Sequence, residues 1–468
     1  MSSQFAQVIP RQVREDVEQA PQYTGSPWQL LVYDIKLFFR NILYLPLMFF
    51  PLAPWPSGPL DEQYPSLTNI FEISLHSILF VAQLGFLISL PLLVYLPVSM
   101  FGAYISGVLL VNFAVCRLLN RGIPEDGLKS TEDEFSQGWK RHDDERWIFL
   151  NGICVGKNWL QSNVDRLSRT FHRPIVGVHN KTSGVVFDIV QCLIQRSLLF
   201  ATPDVRECYT LVKKALYEPG VKRVVLILHS QGGIEGGMIV DWLLNEVPQD
   251  LLQYLEIYTF GIIANHFSNP YRDVFSHTKQ GGLMENGDST RRRHNRAISH
   301  IEHYANSNDF ASRFGVLHFI KQAPTHPLKN RFMGKVFINP RSGHQLNQHY
   351  LDSMFPLDPT NRFTREPQTG DFMDLKVFIE GQSPRGEPLQ HDENYMVSAR
   401  SQVKKGLRIS TADTVNEAGV SNLSPVLSPT ESRVWKEDVE ISRPRAPFQL
   451  RTRDVSRLWQ YRNGGRPM

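Results

Sequence analysis

One serine in the chain stands where a hydroxyl can be put to chemical use. It ends the run Arg223-Val-Val-Leu-Ile-Leu-His229-Ser230-Gln231-Gly232-Gly233. An apolar, β-favouring stretch stops at Ser230, glycines follow, and a helix-like segment continues to about Asn245. That order reads as strand, sharp turn and helix, with the serine thrust out at the end of a sheet. A serine hydroxyl is a weak nucleophile at neutral pH. It needs a base to take its proton, and the base needs an acid that fixes its tautomer and stabilises its charged form. Candidates for both stand in later strand-end loops, where the ligand sites of parallel sheets lie. Asp309, after the expected strand 298–304, fits the acid, its alternative role being a helix N-cap. His344, after the expected strand 334–338 and Gly343, fits the base. His349 is the second candidate base; it falls within the expected helix 345–355, roughly 140° around from His344 at 3.6 residues per turn. The oxyanion needs two backbone N–H donors. Gln231 supplies one, and Gly152 or Ile153, in the loop that follows the first strand of the domain, supplies the other.

These groups need elements to hold them. From Arg146 to about 359, apolar strands at 147–152, 174–179, 224–228, 255–261, 298–304 and 334–338 alternate with helical patterns at 159–171, 185–199, 203–217 and 233–245. Alternation of this kind predicts an α/β domain with a doubly wound, mainly parallel sheet. A loop-rich insert is expected at about 264–297, carrying Arg291-Arg-Arg293. His229 reads as a packing residue.

Upstream of that domain the chain changes character. Residues 1–27 are polar and are expected to form a flexible head without a cleavable signal. The membrane region covers 28–120. Residues 37–55 are apolar but broken by Arg40 and three prolines, which suits a membrane-interfacial segment, or else one that covers a groove of the domain. Residues 73–116 hold no Asp, Glu, Lys or Arg. A bilayer core of about 30 Å needs about 20 residues per crossing, so two spans are expected, at about 74–96 and 98–116, with Pro97 at the reversal. Arg117 and Arg121 follow the second span and favour a cytosolic domain. The charged stretch 121–145 reads as a linker. The tail 360–468 reads as mostly disordered, since 384–468 is rich in Ser, Pro, Arg and Glu with little apolar periodicity. Ser424-Pro425 and Ser428-Pro429 in it have the form of proline-directed phosphorylation sites.

Of 468 residues, 42% are hydrophobic and 21% charged, and the net charge of +4 gives no case for nucleic-acid binding. Cys116, Cys154, Cys192 and Cys208 lack metal-ligand spacing and read as reduced, buried thiols. No metal or other cofactor is expected. Asn180-Lys-Thr182 has the form of a glycosylation sequon.

Four stretches carry a family resemblance: Asn151-Gly-Ile-Cys-Val-Gly-Lys-Asn-Trp159-Leu-Gln, His229-Ser-Gln-Gly-Gly233, His303-Tyr-Ala-Asn-Ser-Asn-Asp309 and Gly343-His-Gln-Leu-Asn-Gln-His-Tyr350. Residues 146–355 resemble the α/β-hydrolase lipases and esterases, most closely the lipase-like serine-esterase domain (DUF676-like) of fungal membrane proteins. The resemblance implies Ser230 as nucleophile, Asp309 as acid and His344 as base. Leu228 departs from it, because the family usually has glycine two residues before the serine. The expected activity is hydrolysis of a lipid or acyl ester at a membrane. The rivals are an inactive hydrolase fold used as a scaffold and an acyltransferase on the same fold.

Overall fold

The computed structural model describes residues 5–9, 26–52, 58–124, 126–270, 272, 296–320, 332–379 and 450–467. The basic insert Arg291–Arg293, most of the head and the Ser-Pro pairs of the tail lie outside the described residues.

A nine-stranded sheet organises the chain. Its strands are β1 (Phe5–Ile9), β2 (Leu128–Lys129), β3 (Glu145–Leu150), β4 (Val176–Val178), β5 (Arg223–His229), β6 (Leu255–Phe260), β7 (His300–Asn306), β8 (Lys335–Asn339) and β9 (Lys376–Ile379), in the order β2-β4-β3-β5-β6-β7-β8-β1-β9. β4, β3, β5, β6, β7 and β8 run parallel to one another, and the two antiparallel pairings, β2 with β4 and β1 with β8, lie near the edges. Both faces are covered, so β5 is apolar without alternation from Val224 to Leu228. In β5, Leu226 and Leu228 point into one core while Val225 and Ile227 point into the other, the period-two geometry of a strand.

The helices are α1 (Pro27–Asn41), α2 (Leu67–Leu93), α3 (Val98–Leu119), α4 (Lys157–Phe171), α5 (Val185–Leu198), α6 (Pro203–Tyr217), α7 (Gly232–Glu246) and α8 (Phe310–Phe314), with a tight 3-10 turn at Ile42–Met48. α5, α6 and α7 pack on the Leu228 side, and α4 with the C-terminal turn Leu458–Gly464 on the other. α2 and α3 are each long and apolar enough to cross a membrane.

Three boundaries differ from the sequence expectation. Residues 5–9 of the expected flexible head form a strand whose Ala6 and Val8 are buried between β8 and β9. The expected linker 121–145 supplies the edge strand β2, buries Leu128 and ends on Glu145, whose carboxylate is buried. The expected disordered tail returns to the domain: Lys376–Val377 extend the sheet, and Leu458, Trp459 and Tyr461 are buried against its α4 face. In each case a few apolar residues in a polar stretch find a partner far away in sequence, which a local reading misses. Residues 380–449 lie outside the described residues.

Candidate active site

Ser230 follows the last residue of β5 with φ of 56°. That left-handed backbone is costly for a residue with a Cβ and persists only where the surroundings over-determine it. Here they do. The Ser230 N–H donates to Phe260 O (3.1 Å), and Ser230 O accepts from Gly233 N (3.0 Å) and Ile263 N (3.3 Å).

The helix after the turn lies unusually close to the sheet, and glycines make this possible. A Cβ on Gly232 would lie 2.6 Å from Leu150 O, and one on Gly233 would overlap Ile262. A Cβ on Gly236 would overlap Leu228 Cδ1. This accounts for Leu228, the position at odds with the family resemblance. Close approach needs one partner without a side chain, and here the helix provides it at Gly236 while the strand keeps its leucine.

Asp309 and His344 meet. His344 Nδ1 is 3.0 Å from Asp309 Oδ2. The same oxygen accepts from Tyr350 Oη (2.8 Å) and Ser312 Oγ (3.0 Å), and Oδ1 accepts from Ala311 N (2.9 Å). Asp309 is therefore both the partner of His344 and the N-cap of α8, the alternative role the sequence offered. It is fully buried, which alone would raise its pKa, but His344 and the two hydroxyls outweigh burial and hold it below the usual carboxylate value. Gly261, at φ 54°, lies against this pair; a Cβ there would come 2.7 Å from Asp309 Oδ2 and 3.1 Å from His344 Nδ1.

His229 does more than pack. Its ring lies over His344 with centroids 4.7 Å apart, and its Nε2–H donates to His344 O (2.9 Å). Burial, with His344 beside it, pushes its pKa down to about 3, so it is neutral. His349 is committed elsewhere: its Nδ1 accepts from Gln345 N (3.0 Å) and its Nε2 donates to Pro51 O (2.7 Å). It tethers the N-terminal segment, and of the two candidate bases only His344 meets the acid.

The Gly152 loop passes directly beside the serine, where a Cβ would sit 2.5 Å from Ser230 Cβ and 3.0 Å from Oγ. Asp188 fixes this loop by accepting from Cys154 N (3.1 Å), and Asn151 accepts from Asn180 N (2.9 Å). The Gln231 side chain is held by Asn180 (2.8 Å) and Gln195 (2.7 Å). Asn180 is thus buried and engaged, unsuited to glycosylation. The backbone N–H groups of Gly152, Ile153 and Gln231 have no acceptor among the described residues, and the Ser230 hydroxyl makes no hydrogen bond among them.

Ser230 opens on a small apolar cavity of about 40 Å³. The segment expected at a membrane interface forms one wall of it, through Phe38, Leu45 and Met48; Ile189, Cys192 and Leu193 of α5 form another. A buried pair, Asp34–Arg196 at 3.1 Å, fastens α1 to α5. The outer side of the same segment exposes Phe39, Leu43, Phe49 and Phe50. The groove-covering alternative therefore describes its inner face. A larger cavity of about 820 Å³ lies between Asp61, Arg166, Arg341 and Asp352 and includes none of Ser230, Asp309 and His344.

Tyr350, Ser312, Asp188, Gly261 and the His229 contact escaped the sequence reading. Only the proximity of Tyr350 to His344 in sequence carried any signal. No protein-family model, curated protein or solved structure matches this chain.

Proposed function

We propose that this chain is a membrane-anchored serine hydrolase with an α/β-hydrolase fold, cleaving a lipid or acyl ester. The observation that carries the reading is the Asp309–His344 pair, in a domain where Ser230 occupies a strained turn at the carboxyl end of a central strand. Ser230 Oγ attacks the ester carbonyl and passes its proton to His344 Nε2, the ring nitrogen left when Nδ1–H is held by Asp309. The N–H groups of Gln231 and Ile153 receive the oxyanion. His344 returns the proton to the departing alkoxide, and water then cleaves the acyl-enzyme by the same route. The Ser230–His344 hydrogen bond is the contact that substrate binding must close, as is common in unliganded sites. The apolar cavity and the adjoining hydrophobic helices favour an acyl group from a membrane. Arg117 and Arg121 favour a cytosolic domain.

A fluorophosphonate probe tests the reading. Wild-type protein should take the label at Ser230 and lose it after Ser230→Ala. A folded protein that stays unlabelled, while a control serine hydrolase labels, means the fold serves as a scaffold. Product analysis with added alcohol separates hydrolysis from acyl transfer.

A further inference from the structure

The hairpin of α2 and α3 is held to the domain further along its length than a tether requires. On α2, Asn69, Glu72, His76 and Gln83 form a buried polar stripe that faces the domain. Asn69 Oδ1 accepts from Trp159 Nε1 (3.0 Å), and His76 stacks on Trp159. Gln83 Nε2 donates to Ser183 O (2.6 Å) and Asn112 Oδ1 (2.7 Å), while its Oε1 accepts from Val186 N (3.0 Å) in the first turn of α5. On α3, Asn112 Nδ2 donates to Ser183 O (3.1 Å).

This attachment limits how far the hairpin reaches. From Gln83 to Leu93 the helix rises roughly 15 Å, and from Asn112 back to Val98 roughly 21 Å, at about 1.5 Å per residue. The hydrocarbon core is about 30 Å thick, so one leaflet contributes about 15 Å. The free part of the hairpin, roughly 15 to 21 Å, is enough for one leaflet and falls short of two. Its turn agrees. Val94, Tyr95 and Val98 are 77%, 88% and 86% exposed, and no charged residue lies between Glu72 and Arg117. A crossing hairpin would deliver this turn to water on the far side. Instead, every charge near the hairpin lies at its domain end.

We propose that α2 and α3 form a wedge that enters one phospholipid leaflet and returns to the side it came from, with the outer face of α5 resting on that same leaflet. Val190, Ile194, Leu198 and Phe200 are exposed on α5 and its exit, next to the point where Gln83 caps the helix. The opposite face of α5 lines the Ser230 cavity, so one helix separates that cavity from lipid. The wedge itself does not depend on the hydrolase reading.

The test uses full-length protein in phosphatidylcholine–phosphatidylglycerol vesicles, with Ser99→Cys, Met100→Cys and Asp143→Cys as separate reporters. A membrane-impermeant maleimide is added to sealed vesicles, to vesicles opened by a pore-former, and after detergent; wild-type labelling is subtracted for the native thiols. A wedge leaves positions 99 and 100 unlabelled until detergent is added, whereas position 143 labels in sealed or opened vesicles. A fluorophore at position 99 is then quenched best by lipids spin-labelled near the bilayer midplane, and one on Ile194→Cys is shielded from aqueous iodide. Labelling at 99 and 100 that appears on opening the pores, with headgroup-level quenching, shows a crossing hairpin and overturns the proposal. Labelling of both in sealed vesicles alongside position 143 shows an uninserted hairpin and also overturns it. Iodide access at 194 equal to that at 143 removes the α5 contact.

Discussion

The two ends of the central strands treat buried polar groups in opposite ways. At the amino end, Glu145 pairs with Arg173 (2.8 Å), Arg223 (3.5 Å) and Arg466 (3.2 Å), and Glu256 pairs with Arg457 (2.9 Å) and accepts from Tyr461 Oη (2.7 Å). Glu302 accepts from the N–H groups of Arg457 (2.9 Å) and Leu458 (3.2 Å). These carboxylates lock the C-terminal segment onto the sheet. At the carboxyl end, the Ser230 hydroxyl and the N–H groups of Gly152, Ile153 and Gln231 are left without partners among the described residues, beside an Asp309 that is fully engaged. Saturated groups hold structure together. Open groups beside saturated ones are free to meet a bound molecule.

This contrast can be broken from either side. The largest effect is expected at the open end. Ser230→Ala and Asp309→Asn should each lower turnover of a p-nitrophenyl ester by about 10⁴-fold, while Ser230→Ala leaves the urea midpoint nearly unchanged. Equal loss of stability and activity in Ser230→Ala would mean that the serine is structural. At the saturated end, Glu145→Ala strands the buried Arg173 and should cost about 3–5 kcal/mol in urea unfolding. Limited proteolysis should then release the segment around Trp459, with per-molecule fluorophosphonate labelling retained in the folded fraction.

Between the two ends, Gly236→Ala should cost about 1–3 kcal/mol by forcing Leu228 aside. Adding Leu228→Ala should recover part of that loss, and strict additivity of the two would refute the pairing. Acidification sharpens the comparison with the smallest effect. His229 is held neutral with a pKa near 3, and burial likewise lowers His303 and His179 to about 4. A histidine whose folded pKa lies below its unfolded value binds fewer protons when folded. Stability should therefore fall as pH drops from about 6.5 towards 4, approaching ~1 kcal/mol per pH unit for each histidine. Glu302 behaves differently: burial raises its pKa, but His300, Lys335 and the Arg457 amide bring it down to about 2. Its contribution is present in full above the ordinary carboxylate range and is lost progressively as pH falls from there through about 2. Acid unfolding should thus begin with the neutral histidines, as chemical denaturation across pH 7 to 4 would record.

Much of this was legible in the sequence, for a physical reason. The strands β3, β5, β6, β7 and β8 are buried on both faces, and the mainly apolar runs of β3, β5 and β6, with Gly152, Gly232 and Gly261 close behind, announce them locally. Ser230, Asp309 and His344 sit where such strands end, which made the pairing of Asp309 with His344 readable from order alone. The choice of His344 over His349 was already favoured by its place in a loop, but Pro51 had to occupy His349 before the geometry decided it. The short strands at 5–9 and 376–379, and the buried Trp459 and Tyr461, were unreadable because their partners lie far away along the chain.

The sequence by itself determined the alternating α/β pattern, the serine at the strand end and a 44-residue stretch from 73 to 116 without charge, since hydrophobic periodicity and charge are local properties. Only the tertiary structure decided that Leu228 is accommodated by Gly236, that the N-terminal segment walls the Ser230 cavity, and how much of the hairpin stands clear of the domain. Those are matters of which surfaces meet, and contact between distant residues is not written in either one of them.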